Sequence, residues 1–321
     1  MSKISIIVPY HNTYEYLQRC VDSIKLTSTH EYEVIIIDNN SDINAQALFV
    51  DNPHIKYFRL STNLGPGGAR NLWRQYATGE YIAFCDSDDW VDYNFYDKIV
   101  SEMEIFDADV GIGGIMRNFA HKVSENPIKS KFDKVIKLES EMFFKIMTKE
   151  YSIGISIPPS SVNKVYRRKF LECCNISFLE ELFYEDLLFS TQVALNASCA
   201  VCVPDVYYHH YKRVGSITQS FSEKHILDFK IIFTHILDYL KTNCIYDKYK
   251  SCYYNFIEHF FNLIIRQLFE YERDEDKKKK FLKLAISSFN AVVDSDEYIE
   301  FLYSEQIRRH IQPHIENTII N

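Results

Sequence analysis

Three aspartates stand within four positions directly after an apolar run. The run is Tyr81–Cys85, and the carboxylates that follow it are Asp86, Asp88 and Asp89. Carboxylates this close repel one another unless a cation lies among them. A hard divalent ion such as Mn²⁺ or Mg²⁺ takes oxygen ligands and keeps positions open for phosphate oxygens. The cluster therefore indicates a divalent cation site, although an acidic cap on the following helix would use the same residues.

A glycine-rich turn, Asn63–Asn71, precedes the aspartates and ends in a predicted helix. Glycines let the backbone approach a phosphate closely, and the guanidinium of Arg70 can donate two hydrogen bonds to phosphate oxygens. The turn matches neither GxxxxGK[ST] nor GxGxxG, which argues against P-loop NTPases and dinucleotide-binding Rossmann domains. The turn is thus interpreted as an anion site, with an ordinary loop as the alternative.

Two more polar segments, Pro9–Asn12 and Asp38–Ser41, follow predicted strands. Open α/β sheets bind ligands beyond the carboxyl ends of their strands, so the four segments are expected to meet at one edge. Their aromatic, amide and carboxylate groups can stack on a base and hydrogen-bond its edge. Together they predict a nucleotide pocket.

The elements that position these segments are predicted from the pattern of apolar residues. From Lys3 to about Asp109, β-branched runs alternate with amphipathic stretches, which is typical of βαβ units and a mainly parallel sheet. After Phe221, apolar residues recur at helical spacing. The prediction is an α/β domain over residues 1–220 and a helical region over residues 221–321. The predicted strands of the first domain are Ile4–Pro9, Glu33–Asp38, Ile55–Leu60 and Tyr81–Asp86.

Composition excludes several classes of protein. Hydrophobic residues make up 46% and charged residues 25% of the 321 residues, so the chain is expected to fold. The formal charge of −8 argues against a nucleic-acid partner. Its 8 cysteines are interpreted as reduced thiols of a cytoplasmic protein, with Cys199 and Cys202 in a buried strand. No apolar stretch reaches the roughly 20 uncharged residues of a membrane span.

The order of the motifs resembles the family 2 glycosyltransferases with the GT-A fold, inverting enzymes that use nucleotide sugars, here of the bacterial surface-polysaccharide type. The resemblance covers residues 3 to about 220. It depends on seven segments in order, namely Ile6–Asn12, Val34–Ser41, Asn63–Asn71, Gly79–Asp89, Asn163–Arg167, Tyr184–Asp186 and Arg213–Thr218. It implies a Rossmann-like, mainly parallel central sheet flanked by helices.

The resemblance also implies roles for residues on the donor side. The residues expected to hold the base are Pro9, His11, Asn12 and Asp38. His11 stands where the family usually has a tyrosine, and Asn39 where it often has a second aspartate.

Further roles follow in the same way for the phosphate side. Arg70 would touch the diphosphate, and Asp186 falls where the family keeps its catalytic base. Asp86 and Asp88 are expected to hold ribose and the Mn²⁺ or Mg²⁺ ion, and Ser87 between them is expected to contact the donor. The residues expected to close the pocket over the diphosphate are His209, His210 and Arg213, with both histidines as further metal ligands.

The reaction implied is transfer of a sugar from a nucleotide sugar, expected to be a UDP-sugar, to a hydroxyl of a saccharide or lipid-linked saccharide. Positive charge would stabilise the leaving diphosphate, and a carboxylate would take the proton of the acceptor hydroxyl. The aromatic helices after Phe221 are expected to form a core, with a dimer face or a shelter for a lipid-linked acceptor as the alternatives. Peripheral contact with the inner face of the cytoplasmic membrane is expected as well.

Two other classes compete with this interpretation. A sugar-1-phosphate nucleotidyltransferase would carry a glycine-rich loop with Arg and Lys directly after the first strand, which Pro9–Asn12 is not. A non-catalytic carbohydrate-binding protein would not need the complete cluster of Asp86, Asp88 and Asp89.

Overall fold

The computed structural model describes residues 3–24, 30–119, 122–123, 134–213 and 220–293. The chain divides into two compact units, Met1–Arg213 and Val214–Asn321. The Ser216–Thr218 part of the last sequence motif lies outside the described residues.

The first unit begins with four parallel strands in the order β3-β2-β1-β4. Their β-branched runs are buried, as in Val34–Ile37 of β2, because both faces of a parallel sheet are covered. Helix α1 (Tyr14–Ile24) buries the stripe predicted from its spacing. Four predicted strands are thereby confirmed, with bounds β1 Lys3–Tyr10, β2 Glu31–Asp38, β3 Ile55–Arg59 and β4 Tyr81–Phe84.

The other strands add antiparallel pairs to this mainly parallel sheet. Strand β9 lies antiparallel to both β4 and β6, while β10 runs parallel to β6. The reversal arises because a long connection, which includes α5, brings the chain into β9 from the opposite end. The bounds are β5 Trp90–Val91, β6 Val110–Phe119, β7 Lys122–Val123, β8 Ile136–Leu138, β9 Lys164–Arg167 and β10 Ala200–Lys212.

Short helices connect these strands. A 3₁₀ turn, Gln46–Leu48, precedes β3. The helices are α2 Gly65–Asn71, α3 Trp73–Tyr76, α4 Phe95–Phe106, α5 Ser140–Met147, α6 Arg168–Cys173 and α7 Asp186–Asn196. Helix α4 approaches β6 closely, since a Cβ on Gly111 would lie 2.2 Å from Cγ2 of Ile99. All eight cysteines are free, and Cys202 lies buried in β10 as predicted.

An aromatic cluster fixes α7 against the sheet. The ring of Phe189 stacks on Phe178 at 4.0 Å and meets Phe84 and Tyr166 edge-on at 5.8 and 5.4 Å. Such pairs add about 0.5–1.5 kcal/mol each beyond the area they bury. The first turn of α7, which begins at Asp186, is therefore held rigidly.

The described part of the second unit, residues 220–293, is helical, as predicted. Helices α8 (Glu223–Thr242), α9 (Tyr246–Tyr271) and α10 (Glu275–Asn290) share an apolar core. Ring contacts tie α8 to α9 and α9 to α10, through Phe229, Phe261 and Phe289. Among the helices described here, none combines the length and the hydropathy needed to cross a membrane.

Candidate active site

The loops after β1 and β2 and the turn before α2 are joined by a polar network at the carboxyl edge of the parallel strands. His11 Nδ1 donates to the carbonyl of Asn39 at 3.0 Å, and its Nε2 accepts from Asn63 at 3.3 Å. The Asn39 amide donates to Asn63 Oδ1 at 2.8 Å. The backbone N–H of Asn12 donates to Ser41 at 3.2 Å. The structure thus brings His11 and Asn12, which are predicted to bind the nucleotide sugar, together with Asn39 and Asn63.

Asp38 lies beneath this network rather than in it. Its side chain is fully buried. One oxygen accepts the Ser41 N–H at 2.8 Å, and the other accepts the Tyr57 hydroxyl at 2.6 Å and Arg59 at 2.9 Å. Because both oxygens are occupied by protein donors, the carboxylate fixes the loop that follows β2.

The acidic loop after β4 separates its three aspartates into two kinds. Asp89 is buried and accepts the Tyr208 hydroxyl at 2.6 Å and the Tyr211 N–H at 2.7 Å. Burial, with repulsion from Asp86 and Asp88, raises the pKa of Asp89 well above the usual carboxyl range. Asp89 therefore anchors the loop, while the side chains of Asp86 and Asp88 stay 36% and 19% exposed.

Two arginines and one pair of hydroxyl groups hold residues 86–88 of this loop. Arg70 donates to one oxygen of Asp86 at 2.7 Å, and Arg213 donates to one oxygen of Asp88 at 2.7 Å. The Ser87 hydroxyl bonds that of Thr13 at 2.7 Å. These ion pairs offset the repulsion between neighbouring carboxylates.

Arg70 also links this loop to Glu185 and Asp186, the pair that contains the predicted catalytic base. Its guanidinium is buried, and the Nη1 arm donates to Glu185 and lies 3.7 Å from Asp186 Oδ1. Burial raises the pKa of Glu185 to about 7, against the opposing effect of Arg70. The Asp186 side chain is 22% exposed, and its Oδ1 has no hydrogen-bond partner within the described residues. One guanidinium thus connects Asp86 with the Glu185–Asp186 pair.

The two histidines of β10 lie in different surroundings because successive strand residues face opposite sides. His209 stacks on Trp90 at 5.0 Å, and its nitrogens bond Asp92 at 2.7 Å and Asn118 at 3.2 Å. Burial lowers the pKa of His210, while Asp86 and Asp88 act to raise it. His210 therefore lies within electrostatic reach of Asp86 and Asp88.

Lys164 is a site residue whose role the sequence did not indicate, although it stands in the Asn163–Arg167 motif. Its buried ammonium donates to the carbonyls of Pro158 and Ser160 at 2.9 and 2.6 Å and to Asn163 Oδ1 at 2.9 Å. Burial lowers its pKa to about 7, with Asp186 opposing that shift. Lys164 therefore fixes the loop before β9 close to Asp186.

The site offers side chains of the types that bind a metal ion, but too few of them to complete its coordination. Asp86, Asp88 and His210 offer oxygen and nitrogen donors, and each arginine touches only one oxygen of its aspartate. In the part of the chain that is described, no three His, Cys, Asp or Glu side chains converge closely enough to bind a metal by themselves. The donor set fits a divalent cation that completes its coordination with phosphate oxygens and water.

A family model described as glycosyl transferase family 2 matches residues 5–174, over half of the chain. The chain belongs to glycosyltransferase family 2. The family resemblance expected from the motifs is confirmed.

The relatives that match within the family are longer than this chain. Poly(ribitol-phosphate) beta-N-acetylglucosaminyltransferase TarS of Staphylococcus aureus is 28% identical over 223 residues, which cover 67% of this chain and 36% of TarS. EpsH of Bacillus subtilis is 26% identical over 235 residues, which cover 69% of this chain and 64% of EpsH. The chain spans about a third of TarS and just under two thirds of EpsH.

Solved structures show the same fold. Residues 1–349 of Staphylococcus aureus TarS in complex with UDP-GlcNAc match with a TM-score of 0.61 at 20% identity, over 93% of this chain and 92% of that one. A mannosyltransferase from Pyrobaculum calidifontis in complex with GDP-Man and Mn²⁺ matches with a TM-score of 0.56 at 14% identity, over 96% and 82%. The GT-A fold predicted for this family 2 member is thereby confirmed.

Replacing Gly67 by Ala in this family 2 member is expected to lower both the stability of the protein and the sugar transfer expected of it. A Cβ there would lie 2.3 Å from the Leu179 carbonyl and 3.2 Å from Cγ of Glu185, so the segment that leads into α7 must shift. Overpacking of this kind costs about 1–3 kcal/mol. Thermal unfolding and sugar transfer measured on Gly67→Ala test this, and an unchanged unfolding midpoint would show that the segment yields freely.

Proposed function

We propose that the chain is an inverting glycosyltransferase that moves a sugar from a UDP-sugar to a hydroxyl of a saccharide or lipid-linked saccharide in surface-polysaccharide synthesis. The observation that carries the proposal is the guanidinium of Arg70, which contacts Asp86 on one side and Glu185 beside Asp186 on the other. Because Arg70 bridges Asp86 and the Glu185–Asp186 pair, the arrangement supports a donor-side carboxylate and a catalytic base acting at one site. We assign the activity to residues 1–220, followed by the helical region 221–321.

The relatives support the choice of donor and acceptor. TarS is named for N-acetylglucosamine transfer to poly(ribitol-phosphate), and its residues 1–349 were crystallised with UDP-GlcNAc. The same classes of donor and acceptor are proposed for this chain, and the polar loops at the sheet edge are assigned to the donor. In this assignment Pro9, His11 and Asn12 line the base pocket, Asp38 fixes its wall through Ser41, and Asp86, Ser87 and Asp88 face the ribose and diphosphate.

A divalent cation, Mn²⁺ or Mg²⁺, is proposed as the cofactor. Asp88, Asp86 and His210 would hold it, and His209 is left to Asp92 and Asn118. When bound, the ion would neutralise charge that develops on the leaving diphosphate. Structural neighbours crystallised with Mn²⁺ support the choice of a divalent cation.

Asp186 is proposed as the general base. Its side chain is 22% exposed at the first turn of α7, while its Oδ1 is buried 3.7 Å from Arg70. A partly exposed carboxylate can accept the proton of an acceptor hydroxyl as the hydroxyl oxygen attacks the anomeric carbon from the face opposite the diphosphate. A single displacement of this kind inverts the anomeric centre.

A panel of UDP-, GDP- and dTDP-sugars with neutral and anionic saccharide acceptors tests the proposal. Release of UDP together with a glycosylated product is the expected result, and an inverted linkage by NMR would establish the stereochemistry. Pyrophosphate release from UTP and a sugar 1-phosphate would instead indicate a nucleotidyltransferase. Binding of saccharides without turnover of any donor would indicate a non-catalytic carbohydrate-binding protein.

Replacing Asp88 by Ala is expected to abolish transfer without unfolding the protein. The substitution removes one carboxylate from a crowded acidic loop, so the free protein gains no new repulsion, while Arg213 loses its partner. Transfer should also cease in EDTA and return with Mn²⁺ or Mg²⁺. The exposed Asp51 offers a matched control as Asp51→Ala, and full activity of wild type in EDTA would overturn the metal assignment.

A further inference from the structure

Helix α1, with the threonine before it, contacts the acidic loop and the start of β5 at four points. Three of the contacts come from small side chains: Thr13 Oγ1 lies 2.7 Å from Ser87 Oγ, Cys20 Sγ lies 3.5 Å from the Asp86 carbonyl, and Ser23 Oγ accepts the Val91 N–H at 3.2 Å. The fourth comes from Arg19, whose Nη2 donates to the backbone carbonyl of Asp88 at 2.7 Å. One helix therefore fixes the segment that carries both aspartates assigned to the cation.

Aromatic rings from three elements hold Arg19 in this position. Its guanidinium carbon lies 4.0 Å from the ring centre of Trp90, 4.8 Å from that of Tyr211 and 5.7 Å from that of Tyr16. Tyr16 lies on α1, Trp90 in β5 and Tyr211 in β10. A planar guanidinium can lie against aromatic faces and donate a hydrogen bond in its own plane at the same time. The rings thus restrict the direction of the hydrogen bond to Asp88.

This hydrogen bond acts on the turn that presents Asp88 to the site. The Asp89 N–H donates to the Asp86 carbonyl at 3.0 Å, which closes a four-residue turn with Asp88 at its third position. The orientation of the peptide group after Asp88 is coupled to the direction of the Cα–Cβ bond of the same residue. Arg19 holds that peptide group, while Arg213 pairs with one carboxylate oxygen at 2.7 Å. The direction in which Asp88 presents its other oxygen therefore depends on Arg19.

We propose that Arg19 is a positioning residue for the donor site, because it holds the Asp88 carboxylate in the orientation that binds the divalent cation and the diphosphate beside it. The proposal rests on the transferase function and the metal assignment proposed above. In this assignment Arg19 touches neither the cation nor the nucleotide sugar. Its effect reaches them through the backbone of Asp88.

Titration calorimetry of UDP on the full chain tests the proposal. For each variant, the Kd of UDP in EDTA is divided by the Kd in saturating Mn²⁺, and this ratio measures how much the cation contributes to UDP binding. Residues that orient a metal ligand change metal affinity by about 10–100-fold when they are replaced. We expect Arg19→Gln to lower the ratio by roughly 10-fold, and Arg19→Lys, which can still donate one hydrogen bond to Asp88, to restore part of it.

The sign of the effect separates positioning from charge. The positive charge of Arg19 repels a cation at Asp88, so the loss of that charge alone would strengthen Mn²⁺ binding and raise the ratio. A change that weakens UDP binding equally with and without Mn²⁺ cancels in the ratio. A misdirected Asp88 carboxylate, in contrast, lowers the ratio.

Arg74→Gln is the matched control, because Arg74 makes the same two kinds of contact away from the acidic loop. Arg74 is exposed, its guanidinium carbon lies 4.9 Å from the ring centre of Trp73, and it donates to the Ile176 carbonyl at 2.9 Å. We expect a wild-type ratio in Arg74→Gln and similar unfolding midpoints for the two glutamine variants.

A wild-type or higher ratio in Arg19→Gln would overturn the proposal. An equal fall of the ratio in Arg74→Gln would also overturn it, because that result would indicate a general loosening of the fold. A wild-type chain that binds no UDP, or binds UDP equally in EDTA and in Mn²⁺, would overturn it together with the metal assignment. The transferase function is tested separately, since release of UDP with a glycosylated product in the nucleotide-sugar panel reports on it whatever these ratios are.

Discussion

Asp186→Asn is expected to lower the kcat of sugar transfer by roughly 10²-fold or more, while the Kd for the nucleotide sugar stays near the wild-type value. Asparagine matches the shape of aspartate but cannot accept the proton of the acceptor hydroxyl. Asp186 makes no hydrogen bond through Oδ1, and Arg70 lies 3.7 Å away, so the substitution removes little that holds the donor. Separate measurements of UDP-sugar binding and of single-turnover transfer distinguish the two effects.

Glu185→Gln is the informative comparison for that experiment. Glu185 is buried and accepts directly from Arg70, so its loss should disturb stability, binding and transfer together. Asp238→Asn, on an exposed face of α8, controls for the change of residue type. A parallel fall of binding and transfer in Asp186→Asn would make Asp186 a donor ligand or a helix cap, and Glu185 would become the candidate base.

The first half of the fold was predictable because local pattern and tertiary position agree there. Val34–Ile37 is a β-branched run that becomes a strand covered on both faces, and Leu17, Cys20 and Val21 form the one buried stripe of α1. The region from β6 to β10 lacks such agreement. Strand β9 has four residues, Lys164–Arg167, and takes its direction from pairing with β4 and β6, which no local pattern encodes.

In the candidate site, likewise, the positions of the loops could be predicted from the sequence, but the hydrogen-bond partners of their side chains could not. Strand ends could be located from sequence, and with them the loops at His11, Asn39 and Asp86. Tertiary packing decides which side chains form hydrogen bonds or ion pairs with each other. The ion pair of Arg70 with Glu185 joins residues 115 positions apart, and Asp38, expected to contact the base, has its oxygens occupied by Ser41, Tyr57 and Arg59 instead.

Arg70 is the residue whose replacement is expected to disturb the site most widely. Its two Nη arms contact different carboxylates, Asp86 and Glu185, with Asp186 close to one of them. Burial of a charged side chain is tolerated only when its partners are in place, and breaking a buried pair costs about 3–5 kcal/mol. A lysine ammonium at this position can pair with only one side, so either Asp86 or the buried Glu185 is left without its partner.

Arg70→Lys, which keeps the charge, is therefore expected to lower the unfolding midpoint by several degrees and to reduce transfer far more than a charge-conserving change at the surface. Lysine has one ammonium group and cannot replace both Nη arms, so either the acidic loop at Asp86 or the turn at Glu185 loses its tether. Arg266→Lys provides the surface control. Wild-type stability and kcat/KM in Arg70→Lys would show that charge alone suffices at this position, and the role of Arg70 in coupling the two groups of carboxylates would have to be abandoned.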